Sequence, residues 1–387
     1  MSERKKIFIL SMIFDPWGGS ESIWFENTPA LQSMGYEVTV LKRKIKWAHP
    51  NFLKLATDQV KLIELVEKSR LFRILKKNTL ARWVLGSFEI ASLDSMHLNF
   101  YRQVKKDRPA MVLINQGINF DGLPFGFLCK KLGIPYAFLS HKAVDFYWPP
   151  TNERKLMLEA IRGSRQNFFV SKQNLEITQG QFGVKIPNAL LVQYPIKRFV
   201  EPVPFPEITD FLELACIGRI FLIDKGQDIL LRVLALDKWR NRKIRISFVG
   251  SGPDEKALKE MVVYLELINV EFKGFLDTSD IWSSFHGLIL PSRSEGFAMV
   301  VQEAMAAGRV VIATRAGGNS ELIEDDENGF LAEANVTSLD EALERAWNRK
   351  IEFEEMGKLA FKKFNFSYSD FPKNDFAQKL NSLINGQ

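Results

Sequence analysis

Apolar residues in this chain gather into short runs, set apart by longer stretches in which they recur every three or four positions. The runs cover residues 7–12, 37–41, 111–115, 136–140, 167–171 and 189–193 in the first half, and 212–217, 244–249, 270–272, 288–291 and 310–313 in the second. They are rich in Val, Ile and Phe. Short runs of this kind, alternating with helix-length amphipathic segments, predict parallel strands buried on both faces. Two such series predict two doubly wound α/β domains, and 387 residues is a length at which one core gives way to two.

Residues 195–206 separate the series. Pro195, Pro202, Pro204 and Pro206 fall within them and deny both helix and central strand, which predicts an inter-domain linker. The expected division is a first domain over 1–194, a second over 207–366, and a final helical segment over 367–387 that packs back on the first. The stretch 42–82 breaks the strand–helix rhythm. Its lysines and arginines, interleaved with Leu62, Leu65, Val66, Leu71, Ile74 and Leu75, predict a basic amphipathic helix or helix pair. Such a helix either lies on an anionic membrane or caps the core as a solvated insertion.

Composition is that of an ordinary globular chain, with 46% hydrophobic and 25% charged residues. Cys129 and Cys216 each sit in an apolar run, which suits buried thiols better than a disulfide framework. Arg4, Lys5 and Lys6 ahead of an apolar run look like the start of a secretion signal, but Asp15-Pro16-Trp17-Gly18-Gly19 ends that run too soon. No stretch is long and apolar enough to span a bilayer, so a soluble cytoplasmic protein, peripheral to the membrane at most, is expected. Charge is unevenly spread. Residues 1–200 hold 30 Lys+Arg against 16 Asp+Glu, and residues 201–387 hold 22 against 30. A cationic half points to an anionic partner, but the basic residues have no aromatic strand platform beside them, so a nucleic acid is not expected.

Chemistry concentrates at residues 292–308. A strand feeds a turn containing Glu295, and a helix begins near Phe297 or Ala298 and stops at Gly308. Glu295 thus falls at the carboxyl edge of a sheet, where open α/β folds bind ligands. Glu303 follows two turns along the helix, and the helix start between the two carboxylates is suited to phosphate. A phosphate site with a carboxylate at each side fits a ligand with hydroxyls at both ends.

In the setting Glu295-Gly296-Phe297, Glu303-Ala304-Met305-Ala306 and Gly308, this segment resembles the family 4 glycosyltransferases of the GT-B fold. The resemblance implies that Glu295 contacts the donor sugar, that Glu303 holds the nucleotide ribose, and that Gly296, Phe297, Ala298, Met299 and Val300 line the donor. Gly218-Arg219 and Lys225-Gly226 resemble the element whose Arg and Lys neutralise the donor diphosphate, which gives Arg219 and Lys225 catalytic roles. Fixed cations there stabilise the leaving group's charge. Gly250, in Val249-Gly250-Ser251-Gly252-Pro253, matches a turn near the base. Residues 316–323 and 328–331 match segments with a structural part.

In the first half, Gly18-Gly19-Ser20-Glu21 is similar to the family's glycine loop, and Gly18 and Gly19 are assigned to the donor. His141 stands at a strand end where the family places a His near the transferring sugar. Gln116 and Asp145 are weaker candidates for the acceptor side. The chain lacks Asp-x-Asp and any metal-ligand spacing, so transfer without a metal or other cofactor is expected. The resemblance implies a retaining enzyme that moves a sugar from a nucleotide-diphosphate sugar to a hydroxyl of a glycan or lipid-linked acceptor of envelope polysaccharide synthesis. A sugar-nucleotide epimerase of the same fold and a non-catalytic binding module remain open alternatives. Ala298 and Arg309 depart from the family pattern, where Gly or Pro and Pro are common.

Overall fold

The computed structural model describes residues 4–14, 17–65, 95–276, 281–368 and 374–386. The chain forms two compact units, one of Met1–Pro195 with Phe371–Gln387 and one of Ile196–Asp370.

The first unit is built on seven parallel strands, β1 (Lys6–Ser11), β2 (Glu37–Lys42), β3 (Lys61–Glu64), β4 (Met111–Gln116), β5 (Tyr136–Ser140), β6 (Gln166–Phe169) and β7 (Ala189–Leu191). Their order is β3-β2-β1-β4-β5-β6-β7. The chain winds outward from β1 to β3, then returns to the other side of β1 at β4. The switch between β1 and β4 opens a crevice at their carboxyl ends, the position where doubly wound sheets take ligands. Helices cover both faces, so Ile7, Phe8, Ile9 and Leu10 in β1 and Met111, Val112, Leu113 and Ile114 in β4 are fully buried. Each such side chain contributes about 1.5–3 kcal/mol. Polar residues close these runs: Ser11, Lys42, Asn115 and Gln116 are all buried at the carboxyl ends of β1, β2 and β4.

β3 corrects one expectation. Residues 61–64 were expected in a basic helix, yet they form an edge strand paired in parallel with β2, from Thr39 opposite Lys61 to Lys42 opposite Glu64. A four-residue strand is too short to display its own period, and Leu62 and Leu65 at a spacing of three imitate a helix. Lys42, counted among the basic surface residues, is instead buried at the end of β2. Residues 66–94, which hold Lys68, Arg70, Arg73, Lys76, Lys77 and Arg82, lie outside the described residues.

The helix Asp375–Asn385 belongs to the first unit. It buries Phe376, Ala377 and Leu380. The Ala377 N–H donates to Asn27 Oδ1 at 3.0 Å, and the Tyr36 hydroxyl donates to Asn381 Oδ1 at 2.7 Å. Tyr368, by contrast, is buried in the core of the second unit.

The second unit repeats the architecture with β8 (Leu212–Ile217), β9 (Ile244–Val249), β10 (Val270–Gly274), β11 (Gly287–Leu290), β12 (Val310–Thr314) and β13 (Gly329–Ala332), in the order β10-β9-β8-β11-β12-β13. All pairs are parallel, and the switch lies between β8 and β11. The proline-rich residues 202–206 are laid against this unit. Arg309 is fully buried and donates to six main-chain carbonyls: Val203 at 2.9 Å, Pro204 at 2.7 Å, Trp282 at 2.8 Å, Phe285 at 2.9 Å, Ala307 at 3.0 Å and Gly308 at 3.3 Å. Burial lowers its pKa to about 10. The departure from proline at this position thus supplies a guanidinium that ties the end of the helix Met299–Ala306 to residues 203 and 204.

Candidate active site

In the second unit the candidate residues collect at the carboxyl edge of the sheet, beside the β8/β11 switch. Glu295, in the turn after β11, is buried. Its Oε1 accepts the Ser292 hydroxyl at 2.7 Å and the Lys225 ammonium at 2.6 Å. Ser292 is in turn held through its carbonyl, which accepts the Thr314 hydroxyl at the end of β12 at 2.5 Å. The carboxylate therefore has a set orientation before any ligand is considered.

Backbone geometry brings Lys225 there. The short helix Leu222–Lys225 ends at Gly226, whose φ is +61°. A Cβ at Gly226 would stand 2.1 Å from the Pro291 carbonyl oxygen, so only glycine lets the turn close on the end of β11. The two turns are then laced together. Arg293 and Ser294 donate their N–H groups to the Asp224 carbonyl at 2.8 and 3.1 Å. The Arg293 guanidinium forks onto Asp228 at 2.7 and 2.8 Å and reaches the Leu222 carbonyl at 2.7 Å. Burial pushes the Asp228 carboxyl up, but the Arg293 hydrogen bonds outweigh it and hold the group below the usual carboxylate value.

Arg219 follows Gly218 at the end of β8. Its guanidinium lies over the Phe221 ring at 4.6 Å, with Nη2 3.9 Å from Asp224 Oδ2, and its carbonyl accepts from Gln227 Nε2 at 3.0 Å. Gly250 ends β9 and packs on Gly218, where a Cβ would lie 2.1 Å from the Gly218 carbonyl oxygen. Gly296 is fixed by the turn after β12: the Gly318 N–H donates to its carbonyl at 2.9 Å, and Gly317, with φ at +59°, has room for no Cβ against it. Ala298 is the N-cap residue of Met299–Ala306, one residue later than the sequence suggests, with no side-chain cap. Phe297 and Val300 pack against the core beside it, and Glu303 sits in the second turn, half-buried. Arg219, Lys225, Gly250 and Glu295 through Val300 thus share one edge, and Lys225 and Glu295 touch.

The first unit carries a different assembly at its β1/β4 switch. Gly18 is extended, Gly19–Glu21 forms a single turn of 3-10 helix, and that turn drops the Glu21 side chain into the interior. Glu21 is fully buried and accepts from Ser11 Oγ, Lys42 Nζ and Trp24 Nε1, each at 2.7 Å. Asn115 Nδ2 donates to Glu21 Oε2 and to the Ser20 carbonyl, both at 3.2 Å. Asn115 Oδ1 is left as the acceptor for His141 Nε2 at 2.7 Å, which places the imidazole proton on Nε2. His141 Nδ1 then accepts the Tyr194 hydroxyl at 2.7 Å. Burial lowers the His141 pKa to about 3, so the ring is neutral. Its side chain is 1% exposed and both nitrogens are engaged within the unit.

Gln116 is buried beside this chain. Its Oε1 accepts the Ser140 hydroxyl at 2.6 Å, and its Nε2 has no hydrogen-bond partner among the described residues. Asp145 is exposed and takes the N–H of Phe146 at 2.8 Å, and no hydrogen bond joins it to Gln116. Sequence reasoning missed Ser292, Thr314, Asn115 and the buried roles of Glu21, Lys42 and Tyr194. The readable signal was a polar residue closing an otherwise apolar strand run, as in Ser11, Lys42 and Asn115. Among the described residues no group of His, Cys, Asp or Glu is placed to hold a metal ion, and no helix is long and apolar enough to cross a membrane.

Residues 212–349 match the family described as "Glycosyl transferases group 1", and the match includes Arg219, Lys225, Gly250, Glu295 and Glu303. The chain is similar to an uncharacterized glycosyltransferase of Methanocaldococcus jannaschii, 37% identical over 118 residues, which is 30% of this chain and 32% of that protein. It is also similar to the O-antigen chain mannosyltransferase C of Escherichia coli, 27% identical over 296 residues, or 72% of this chain and 76% of that protein. The matched stretch spans about one third of the archaeal relative's length. Among solved structures, Anabaena HepE in complex with UDP and glucose aligns over 99% of this chain and 100% of its own, at 16% identity and a TM-score of 0.74. The fold is GT-B. Each of its two Rossmann-like units ends its central strands in one of the two polar assemblies described above.

Proposed function

We propose that the chain is a glycosyltransferase that moves a sugar from a nucleotide-diphosphate sugar to a hydroxyl acceptor, with retention of anomeric configuration and without a metal ion. The observation that carries this is the Lys225–Glu295 contact of 2.6 Å, set at the carboxyl edge beside the start of Met299–Ala306. A lysine and a carboxylate held together there serve the two ends of one ligand. Lys225 and Arg219 face the diphosphate and stabilise its charge as the glycosidic bond breaks, and Glu295 takes hydroxyl hydrogen bonds from the sugar. Glu303 holds the ribose, and Gly250, Gly296 and the residues to Val300 line the donor. With two fixed cations at the diphosphate, the leaving group needs no bound metal to neutralise it.

The match over residues 212–349 supports the donor half of this reading. The mannosyltransferase relative supports a saccharide acceptor of the envelope kind, and UDP in the Anabaena structure makes uracil the first base to try. The lysines and arginines of 68–82 extend the proposal to an anionic membrane surface as a place of work. Sedimentation with anionic but not neutral liposomes is the expected result, and equal sedimentation with both removes that part.

The central test is a thermal-shift panel of UDP, GDP, ADP, dTDP and CMP without metal, on wild type and Lys225→Ala. One diphosphate should raise the melting temperature of wild type alone, with a stabilisation of roughly 2.7 kcal/mol at a hundredfold excess over Kd. If no nucleotide acts on wild type, the donor site and the enzyme reading both fall.

A further inference from the structure

The two carboxylate oxygens of Glu295 are used unequally. Oε1 accepts from the Ser292 hydroxyl at 2.7 Å and from the Lys225 ammonium at 2.6 Å, and these two donors fill its lone pairs. Oε2 accepts no hydrogen bond among the described residues. A sugar hydroxyl that donates to this carboxylate therefore meets Oε2, provided that Oε1 stays turned toward the protein.

Two groups hold Oε1 there, and they differ in how firmly. Lys225 ends a long flexible stem, is partly exposed, and carries the charge that a diphosphate attracts. A carboxylate held by Lys225 alone would follow the ammonium as it turned toward phosphate. Ser292 has no such freedom. It is neutral and fully buried. Its carbonyl accepts the Thr314 hydroxyl at 2.5 Å, and the Thr314 carbonyl accepts from Asn319 Nδ2 at 3.1 Å. Both of these partners are buried as well. On one side of Ser292 the Pro291 carbonyl backs onto Gly226, and on the other the Arg293 N–H donates to the Asp224 carbonyl at 2.8 Å.

Ser292 and Glu295 are three residues apart, so the same bond also closes a turn. If closing the turn were its whole purpose, its loss would weaken every ligand at this edge alike, because the turn is laced to the Lys225 segment through Arg293 and Ser294. A role in presenting Oε2 touches only the part of the ligand that meets Oε2.

We propose that Ser292 is a positioning residue for the donor sugar: its hydroxyl holds Oε1 of Glu295 so that Oε2 faces a sugar hydroxyl wherever Lys225 turns. The proposal rests on the glycosyltransferase reading and adds to it the group that sets the sugar-binding carboxylate.

The test compares each diphosphate with its sugar forms on the full chain by isothermal titration calorimetry, which needs no acceptor. The pairs are UDP with UDP-glucose, UDP-galactose and UDP-N-acetylglucosamine, GDP with GDP-mannose, and ADP with ADP-glucose. For the pair that binds wild type, Ser292→Ala should shift the ratio of the two dissociation constants about tenfold against the sugar form, with the diphosphate alone bound within about twofold of wild type. In a Glu295→Ala background the same Ser292→Ala change should shift that ratio by less than about twofold, since a residue that acts through Glu295 has nothing left to act on. Equal weakening of both ligands in Ser292→Ala, or an unchanged ratio, overturns the proposal. So does a full tenfold shift in the Glu295→Ala background. If a diphosphate binds wild type and none of its sugar forms does, the sugar contact and the role of Ser292 fall while the diphosphate site stands. If no diphosphate binds wild type, the donor reading itself falls, and that is seen before any variant is made.

Discussion

Lys42 Nζ lies 2.7 Å from Glu21 Oε1, and the two side chains are 1% and 0% exposed. The pair sits beneath the Gly18-Gly19 turn and is the root of the polar chain that ends at His141 and Tyr194. Two charges leave water there only because the surrounding bonds from Ser11, Trp24 and Asn115 complete the carboxylate's coordination.

Removing one partner should therefore be severe. Lys42→Met leaves Glu21 charged and buried, with an expected loss of about 3–5 kcal/mol in urea unfolding. Adding Glu21→Gln to that variant should recover part of the loss. A single variant within about 1 kcal/mol of wild type would show that water reaches Glu21.

His141 makes a pH prediction. Its folded-state pKa is lowered to about 3 by burial, against an ordinary 6.5. In the unfolded chain the ring gains a proton near 6.5, and in the folded chain it does not until near 3. The stability it contributes is present above pH 6.5 and is lost progressively as pH falls toward 3. In His141→Gln that loss is absent, so the stability difference between wild type and variant should shift toward the variant between pH 7 and pH 4, by at most about 1.4 kcal/mol per pH unit. A difference that stays flat across this range would mean the ring is protonated or hydrated in the folded state.

Gly226→Ala tests how the donor-side lysine is placed. Alanine at φ +61°, with its Cβ 2.1 Å from the Pro291 carbonyl, should force the turn away from β11. A loss of more than about 2 kcal/mol is expected, along with weakened nucleotide stabilisation even though Lys225 is intact. Normal stability and normal nucleotide response together would show that the turn can relax without moving Lys225.

Arg309→Lys keeps the charge and removes the fork. Three ammonium donors cannot serve six carbonyls, so thermal unfolding should report a loss of about 2–3 kcal/mol. An unchanged melting temperature would show that the carbonyls of residues 203 and 204 are satisfied by solvent.

The strand runs were legible because parallel strands covered on both faces must be apolar throughout. β3 escaped because Leu62 and Leu65 imitate a helical spacing within a basic stretch, and β13 was read only as a structural segment over 328–331. The turn from Glu295 to the helix at Met299 was legible for a local reason: strand end, acidic turn and helix start are contiguous in the chain.

The sequence alone thus determined two doubly wound units and the carboxyl-edge position of Arg219, Lys225 and Glu295, since periodicity and turn chemistry are written within a few neighbouring residues. Tertiary structure decided what touches what. Lys42 looked like one more basic surface residue until parallel pairing of β1 with β2 set it over Glu21, 21 positions away. Tyr194 looked like no more than the last residue before a linker until it met His141, 53 positions away. Burial, and with it the protonation of His141, depends on residues far apart in the chain, and no local pattern records which of them will share a strand end.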